Sequence, residues 1–311
     1  MTNPVSSEGD AGNSDVDAAL SLLLGALDQA GFAPATLFKD FDHKQRYESL
    51  LTFARRRLSA ALYHRERMDA AVAEEAEAMA ARAAAGASGL EAKAESPLLT
   101  AASASLTSFG THEAAIYELG ALLGAIRSGI DFLATAGIMH LKGHDGDSIS
   151  RMLSWRSQGL SAPTLNAIDP HAEWLRELRD YRDHLVHKLA ITAPSGFGVA
   201  IKGGSTATAL VPLIIPSITP RYLPDTRYAR MVYAGERPFG IVEKSAQAWI
   251  TNSDGSESIL IHEHSYEAAP GYELVTALAN RHLGEFRRFF VDFCHVLAQT
   301  GFTAELPIKQ A

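Results

Sequence analysis

Cysteine is almost absent from this 311-residue chain, and the single copy, Cys294, excludes a framework of intramolecular disulfides. Long apolar runs are also missing: the best candidate, Leu210–Pro216, is much shorter than the roughly 20 residues that cross a bilayer, and prolines interrupt it. The segment Met1–Asp17 has neither the basic residues nor the apolar core of a secretory signal. These absences predict a cytoplasmic protein, in a reducing compartment, that does not span a membrane.

A surplus of basic charge and the common catalytic signatures are missing as well. The formal net charge of -8 is not typical of proteins that coat nucleic acid non-specifically. The sequence contains no G-x-x-x-x-G-K-[ST] phosphate loop and no G-x-S-x-G nucleophile elbow. His262 and His264, which would share one face of a strand, have no third metal ligand nearby in the sequence. We therefore predict neither a metal site nor another cofactor.

Apolar residues recur at spacings of three and four over most of the chain, which predicts a mainly helical protein. Helices are expected near residues 43–85, 112–141, 170–190 and 271–300. Between the last two, the composition changes to Gly, Pro, Thr, Val and Ile, and Gly203-Gly204 predicts a hairpin turn. The predicted fold is a helical bundle with a small β-rich insertion before the C-terminal helix.

These patterns predict seven consecutive segments. They are a disordered tail (1–15), N-terminal helices including one long helix (16–92), a Ser/Thr/Ala-rich linker (93–110), core helices (111–192), the β-rich insertion (193–270), a C-terminal bundle helix (271–302) and a tail (303–311). The Ala-rich end of the long helix, Met68–Ala85, is predicted to protrude or to pair with a partner helix. Glycines within the next long helix predict close approach of a neighbouring helix; they are Gly120, Gly124 and Gly129.

The helix predicted after Asp169-Pro170 has two contrasting faces. Its apolar stripe consists of Trp174, Leu175, Leu178, Tyr181, Leu185 and Leu189. Its charged face includes Arg179, Arg182, Asp183, His184 and His187. Asp183 and His187 are four residues apart and therefore neighbours on a helix surface. A solvated amphipathic helix with an internal ion pair is the ordinary interpretation of such a face.

The pattern Arg182-Asp183-x-x-x-His187 resembles the signature of HEPN domains, an all-helical family whose active members carry Arg, then Asn, Asp or His, and a His about five residues after the Arg. The earlier segment Ile126–Phe132 resembles the core helix that packs beside this motif. The resemblance implies a metal-independent RNA endonuclease with a toxin or defence role. It also implies a homodimer with a composite active site at its interface, an RNA substrate, and restraint by an antitoxin protein.

The same resemblance implies roles for particular residues. Arg182, Asp183 and His187 would be catalytic: a guanidinium meets the charge that develops on the phosphoryl group, and an imidazole moves a proton near neutral pH. Arg179 and His184 would contact the substrate. Two alternatives stay open from the sequence. The domain could be a non-catalytic HEPN-like module for dimerisation or for binding a nucleotide or a protein, or the chain could be a helical interaction protein unrelated to that family.

Overall fold

The computed structural model describes residues 8–30, 41–94, 104–111, 113–142, 168–187, 194–202, 205–217, 241–251 and 257–300. Within these ranges the α-helices are α1 (Glu8–Ala30), α2 (Phe41–Ala94), α3 (Glu113–Lys142), α4 (Ala172–His187) and α5 (Val275–Thr300). The prediction of a mainly helical protein with a small β-region before the C-terminal helix is confirmed.

The strands of the described ranges form three antiparallel sheets. They are β1 (Ala104–Thr111), β2 (Pro194–Lys202), β3 (Ser205–Val211), β4 (Ile214–Pro216), β5 (Ile241–Thr251), β6 (Glu257–Ala268) and β7 (Tyr272–Leu274). The sheet orders are β1-β2-β3, β4-β7 and β5-β6. Lys202 pairs with Ser205 across the predicted Gly203-Gly204 turn, which confirms the hairpin. The predicted tail at 303–311 lies outside the described residues.

The predicted linker at 93–110 is wrong in its second half, because residues 104–111 form β1. This strand runs antiparallel to β2, with Ala104 opposite Ile201 and Thr111 opposite Pro194. Its partner lies some ninety residues later in the sequence, so the Ser- and Thr-rich composition of β1 gave no local sign of the pairing. The β-region is consequently not a self-contained insertion, since one strand of its largest sheet precedes α3.

Two helix ends also differ from the prediction. The N-terminal tail was expected to be disordered to residue 15, but α1 begins at Glu8 and carries polar residues in its first turns. The long helix α2 was expected to stop before Gly86, yet it continues to Ala94. Ala87 packs against a buried cluster there, and this tertiary contact together with the helix propensity of alanine offsets the cost of the glycines.

The chain divides into two compact units, and most of the helices pass from one unit to the other. Unit 1 comprises residues 1–63, 121–182 and 280–311; unit 2 comprises residues 64–120 and 183–279. Unit 1 has a core rich in aromatic rings. Its largest fully buried side chains include Tyr47, Tyr181, Phe286, Phe289, Phe290 and Phe293.

Unit 2 has two described clusters of buried side chains, and the first includes residues from the second half of α2. Met79 and Ala83 of α2 pack with Phe197 and Val199 of β2. A second cluster contains Ala209, Val211, Ile214 and Tyr266. The prediction that this end of α2 protrudes is wrong for the face that carries Met79 and Ala83, because β2 packs against it. Pairing with a partner helix stays a prediction.

The glycine prediction is confirmed at only one of its three positions. A Cβ atom at Gly129 would overlap the ring of Phe286 and come within 3.2 Å of the Cβ atom of Arg57. Nothing lies within 4 Å of a Cβ atom built at Gly120 or Gly124. Close helix packing therefore requires glycine at position 129 alone among the three.

Among the described residues, one helical stretch, Glu113–His140 of α3, is long and apolar enough to cross a membrane by length and composition. Of its most apolar window, 67% is buried inside the protein. The core helix of a soluble protein has the same features, so the stretch is weak evidence for a membrane span.

Candidate functional site

Helix α4 carries the predicted site. The first four residues of its apolar stripe are buried as expected, whereas Leu185 is half-buried and Leu189 lies outside the described residues. Trp174, Leu175, Leu178 and Tyr181 are all at most 7% exposed. A single 3-10 turn, Asp169–His171, leads into the helix. Ile168 occupies the N-cap position of this 3-10 turn, and no side chain makes a cap hydrogen bond there. The buried stripe packs α4 against the core.

The charged face of α4 contains three described residues of the predicted site, and all three are half-buried. They are Arg179, Arg182 and Asp183. Arg179 donates from Nε and Nη2 to Oδ1 of Asp180, both at 3.0 Å. The guanidinium that was predicted to contact phosphate is therefore paired with the adjacent carboxylate. A substrate phosphate would compete with Asp180 for it.

His184 and His187 are described by their backbone alone, which places both within α4. Residue 187 follows residue 183 by one turn of continuous helix, so the predicted neighbourhood of these two positions on one helix face is confirmed. Position 187 lies about 140° around the helix axis and about 7.5 Å along it from position 182. The division between the two units falls between Arg182 and Asp183. The catalytic roles of these residues stay a prediction.

The segment Ile126–Phe132, the second part of the family resemblance, lies in the middle of α3. Ile126 and Ile130 are fully buried. Arg127 on the neighbouring face points Nε at Asp131, one turn away, at 3.3 Å from Oδ2. These two isoleucines belong to the core, and the packing of this segment beside the motif stays a prediction.

A polar cluster between α4 and α5, within unit 1, was not predicted from the sequence. Trp174 donates from Nε1 to Nδ1 of His282 at 3.0 Å. Arg281 donates from Nη1 to Oε1 of Glu177 at 2.7 Å. At the start of α4, His171 Nε2 lies 2.9 Å from Oδ2 of Asp292. The spacing in the sequence places His282 within the apolar stripe of the last helix. A histidine in such a stripe was the one sequence feature that could have indicated this buried polar cluster.

His282 is held in its neutral form. Burial lowers its pKa to about 3, and the adjacent positive charge of Arg281 contributes to the shift. Because Nδ1 accepts the indole hydrogen bond, the ring proton lies on Nε2, which is buried and has no hydrogen-bond acceptor in the described part of the chain. The approach of Nε2 to Glu177 at 3.9 Å is therefore a contact of a neutral ring and not an ion pair.

Metal binding and thiol chemistry are the other possibilities to weigh in the described ranges. No group of three or more His, Cys, Asp or Glu side chains within them is arranged to hold a metal ion. Cys294 is fully buried, and burial raises its pKa to about 12. Its thiol stays protonated at neutral pH, so it is a core residue and not a nucleophile.

Comparisons with family models, with curated proteins and with solved structures found no match to this chain.

Proposed function

We propose that the protein is a metal-independent RNA endonuclease of the HEPN type, cytoplasmic and acting in a toxin or defence role. The observation that carries the proposal is the placement of positions 182, 183 and 187 together in the last two turns of one continuous helix whose opposite face is buried. Cleavage by the adjacent ribose hydroxyl would leave a 2′,3′-cyclic phosphate and a 5′-hydroxyl.

The residue types suit this chemistry. Arg182 would neutralise the charge that develops on the phosphoryl oxygens, because a guanidinium offers paired donors and is charged at every relevant pH. His187 would accept or return a proton, since an imidazole titrates near neutral pH. Asp183, one helical turn before position 187, would orient that ring. Arg179 and His184 would contact substrate phosphates, and Asp180 would release Arg179 when they do.

Helix geometry favours a composite site made by two copies of the chain. Positions 182 and 187 lie about 140° apart around α4, so one helix presents them in different directions. A two-fold axis beside α4 would bring residue 182 of one protomer towards residue 187 of its partner. We therefore propose a homodimer, with an antitoxin protein as the partner that restrains it.

The first experiment measures cleavage of a mixed RNA pool in excess EDTA by the wild type, Arg182→Ala and His187→Ala. The matched control is Arg176→Ala, because Arg176 is an exposed arginine on the same helix. We expect the wild type and Arg176→Ala to cut and to leave cyclic phosphate ends, and the other two variants to be at least about 100-fold slower. Equal cleavage by all four proteins would show contamination and would remove the proposal.

A mixing experiment tests the composite site. If each site takes Arg182 from one protomer and His187 from the other, Arg182→Ala mixed with His187→Ala recovers about a quarter of the wild-type activity, because half of the dimers are mixed and each has one intact site. A site within one protomer recovers nothing.

The alternative is a non-catalytic dimer that binds a nucleotide or a protein. The existing pairing of Arg179 with Asp180 favours it, because that guanidinium is already neutralised. A folded dimer that binds RNA or nucleotide without cutting it would establish this alternative.

A further inference from the structure

A cavity of about 270 Å³ lies within unit 2 and is lined by residues of α2, of the sheets and of the start of α5. Val72, Ala76 and Met79 follow one another at spacings of four and three, so they share one face of α2. The rest of the lining comes from Leu210–Leu213, from Tyr266 of β6 and from Leu274–Thr276. No residue of α4 takes part, so an inference from this cavity does not depend on the proposed nuclease.

Two leucines of the lining keep a large part of their side chains exposed. Leu210 is 39% exposed and Leu274 is 45% exposed, whereas Leu213 between them in the sequence is only 7% exposed. Because both exposed leucines line the cavity, its lining reaches the protein surface and a ligand can enter. Exposed apolar side chains beside a concave surface are typical of ligand-binding sites.

The volume of the cavity limits the size of the ligand. A cavity of about 150 Å³ is large enough for benzene, and pockets for drug-sized ligands begin at about 300 Å³. The volume of about 270 Å³ therefore fits a single ring with a short chain. The lining is mostly aliphatic, so the body of the ligand should be apolar.

The charge at the cavity has one sign. Glu75, which is half-buried, is the one charged side chain among the described lining residues. The segments that contribute the lining, residues 72–79, 205–217 and 265–276, contain five glutamates and no lysine or arginine. The complementary ligand charge is positive. An aromatic ring such as that of Tyr266 also attracts cations through its face.

We propose that this cavity of unit 2 binds a small organic amine, with the apolar body of the ligand inside the cavity and its ammonium group paired with Glu75. The aliphatic lining supplies most of the binding free energy, because it removes the apolar body from water. Glu75 supplies the selectivity for a cation, since a half-buried carboxylate is less screened by solvent than an exposed one.

Three ligands of similar shape and different charge test the proposal: phenylpropylamine, phenylpropanol and phenylpropionate. Titration calorimetry and thermal unfolding at pH 7 and constant ionic strength measure their binding. We expect the amine to bind about tenfold more tightly than the alcohol, and the carboxylate to bind most weakly. The Tm of the wild type should rise with the amine concentration and follow the binding isotherm from calorimetry.

Glu75→Gln removes the negative charge and retains the shape of the side chain. It should weaken binding of the amine about tenfold and leave the affinity for the alcohol unchanged, a difference that a purely structural glutamate would not produce. Glu77→Gln is the matched control, because Glu77 is exposed on the same helix and does not line the cavity. It should bind all three ligands as the wild type does.

Ala76→Phe places a ring at the cavity and should abolish binding of all three ligands. Ala76 is exposed on α2, so the substitution does not disturb a buried position. Ala73→Phe is the matched control, because Ala73 is also exposed on α2 but does not line the cavity. It carries the same cost in helix propensity and should bind the amine as the wild type does.

The proposal is overturned if the wild type binds none of the three ligands or binds the amine and the alcohol equally. It is also overturned if Glu75→Gln or Ala76→Phe binds the amine as the wild type does. Sedimentation of Ala76→Phe tests a second copy of the chain as the occupant. Conversion of a wild-type dimer into a monomer would assign the exposed leucines to an interface between copies and would overturn the proposal as well.

Discussion

Unit 1 and unit 2 bury their apolar residues in different ways. Unit 1 packs large rings from α5 against each other, with Phe289 and Phe293 at a centroid distance of 5.4 Å. The two described clusters of unit 2 contain mostly smaller side chains, those of alanine, valine, isoleucine and methionine, together with two rings, those of Phe197 and Tyr266. Rings bury more area per residue and leave larger cavities when they are removed. The two units should therefore respond differently to the same substitution.

The largest effect is expected from Phe289→Ala in unit 1. Phe289 is fully buried and contacts the rings of His171, Trp174 and Phe293. Its removal leaves a cavity that these rings cannot fill. We therefore expect a loss of about 3–5 kcal/mol in the free energy of unfolding. Phe197→Ala in unit 2 is the matched substitution, and its smaller neighbours can relax further. Urea unfolding of both variants measures the difference. An equal or larger loss for Phe197→Ala would contradict the comparison.

The next largest effect is a pH dependence of the free energy of unfolding, caused by His282 in unit 1. His282 has a folded-state pKa of about 3 against 6.5 when unfolded, so the unfolded chain binds the proton first. Its contribution to stability is full above pH 6.5 and decreases as the pH falls towards 3, by about 2 kcal/mol at pH 5. His282→Gln can still accept the hydrogen bond of Trp174 but does not titrate in this range. Urea unfolding at pH 7 and pH 5 should show a smaller decrease for the variant; identical decreases would exclude His282 as the cause.

A smaller effect on stability is expected from replacing two glycines of α3, one in each unit. Gly129→Ala places a methyl group against the ring of Phe286, and such overpacking costs about 1–3 kcal/mol. Gly120→Ala in unit 2 meets open space and should stabilise the helix by about 0.5–1 kcal/mol. Thermal unfolding of the two variants should shift in opposite directions. Shifts of the same sign would mean that the two positions are packed alike.

The smallest effect is expected at the surface of unit 1. Arg288→Ala removes an exposed ion pair with Glu285, and pairs of this kind contribute less than about 0.5 kcal/mol within a helix. Its unfolding midpoint should match that of the wild type within error. A loss comparable to that of Gly129→Ala would show that packing of the arginine stem, rather than its charge, had been overlooked.

The candidate site was predictable in part because it depends on helical spacing over a few residues. The spacing of Trp174, Leu178 and Tyr181 predicted the buried stripe of α4, and the same spacing placed positions 183 and 187 on one helix face. The pairing of Arg179 with the adjacent Asp180 was not predicted, since either of two neighbouring carboxylates, Asp180 or Asp183, could have accepted it. Side-chain rotamers and burial determine that Asp180 is the acceptor, and the spacing of residues in the sequence predicts neither of them.

The sequence by itself determined that the long helices form, though not where α1 begins or α2 ends. It also determined the hairpin between β2 and β3 and the position of the Arg-Asp-x-x-x-His pattern, because periodicity, propensity and turn chemistry act over a few residues. Only the tertiary structure decided that β1 pairs with β2 and that Gly129, but not Gly120, lies against a ring. The same holds for the neutral state of His282 and the cavity of unit 2. These features depend on desolvation and on partners far away along the chain, and they exist only once the chain has folded.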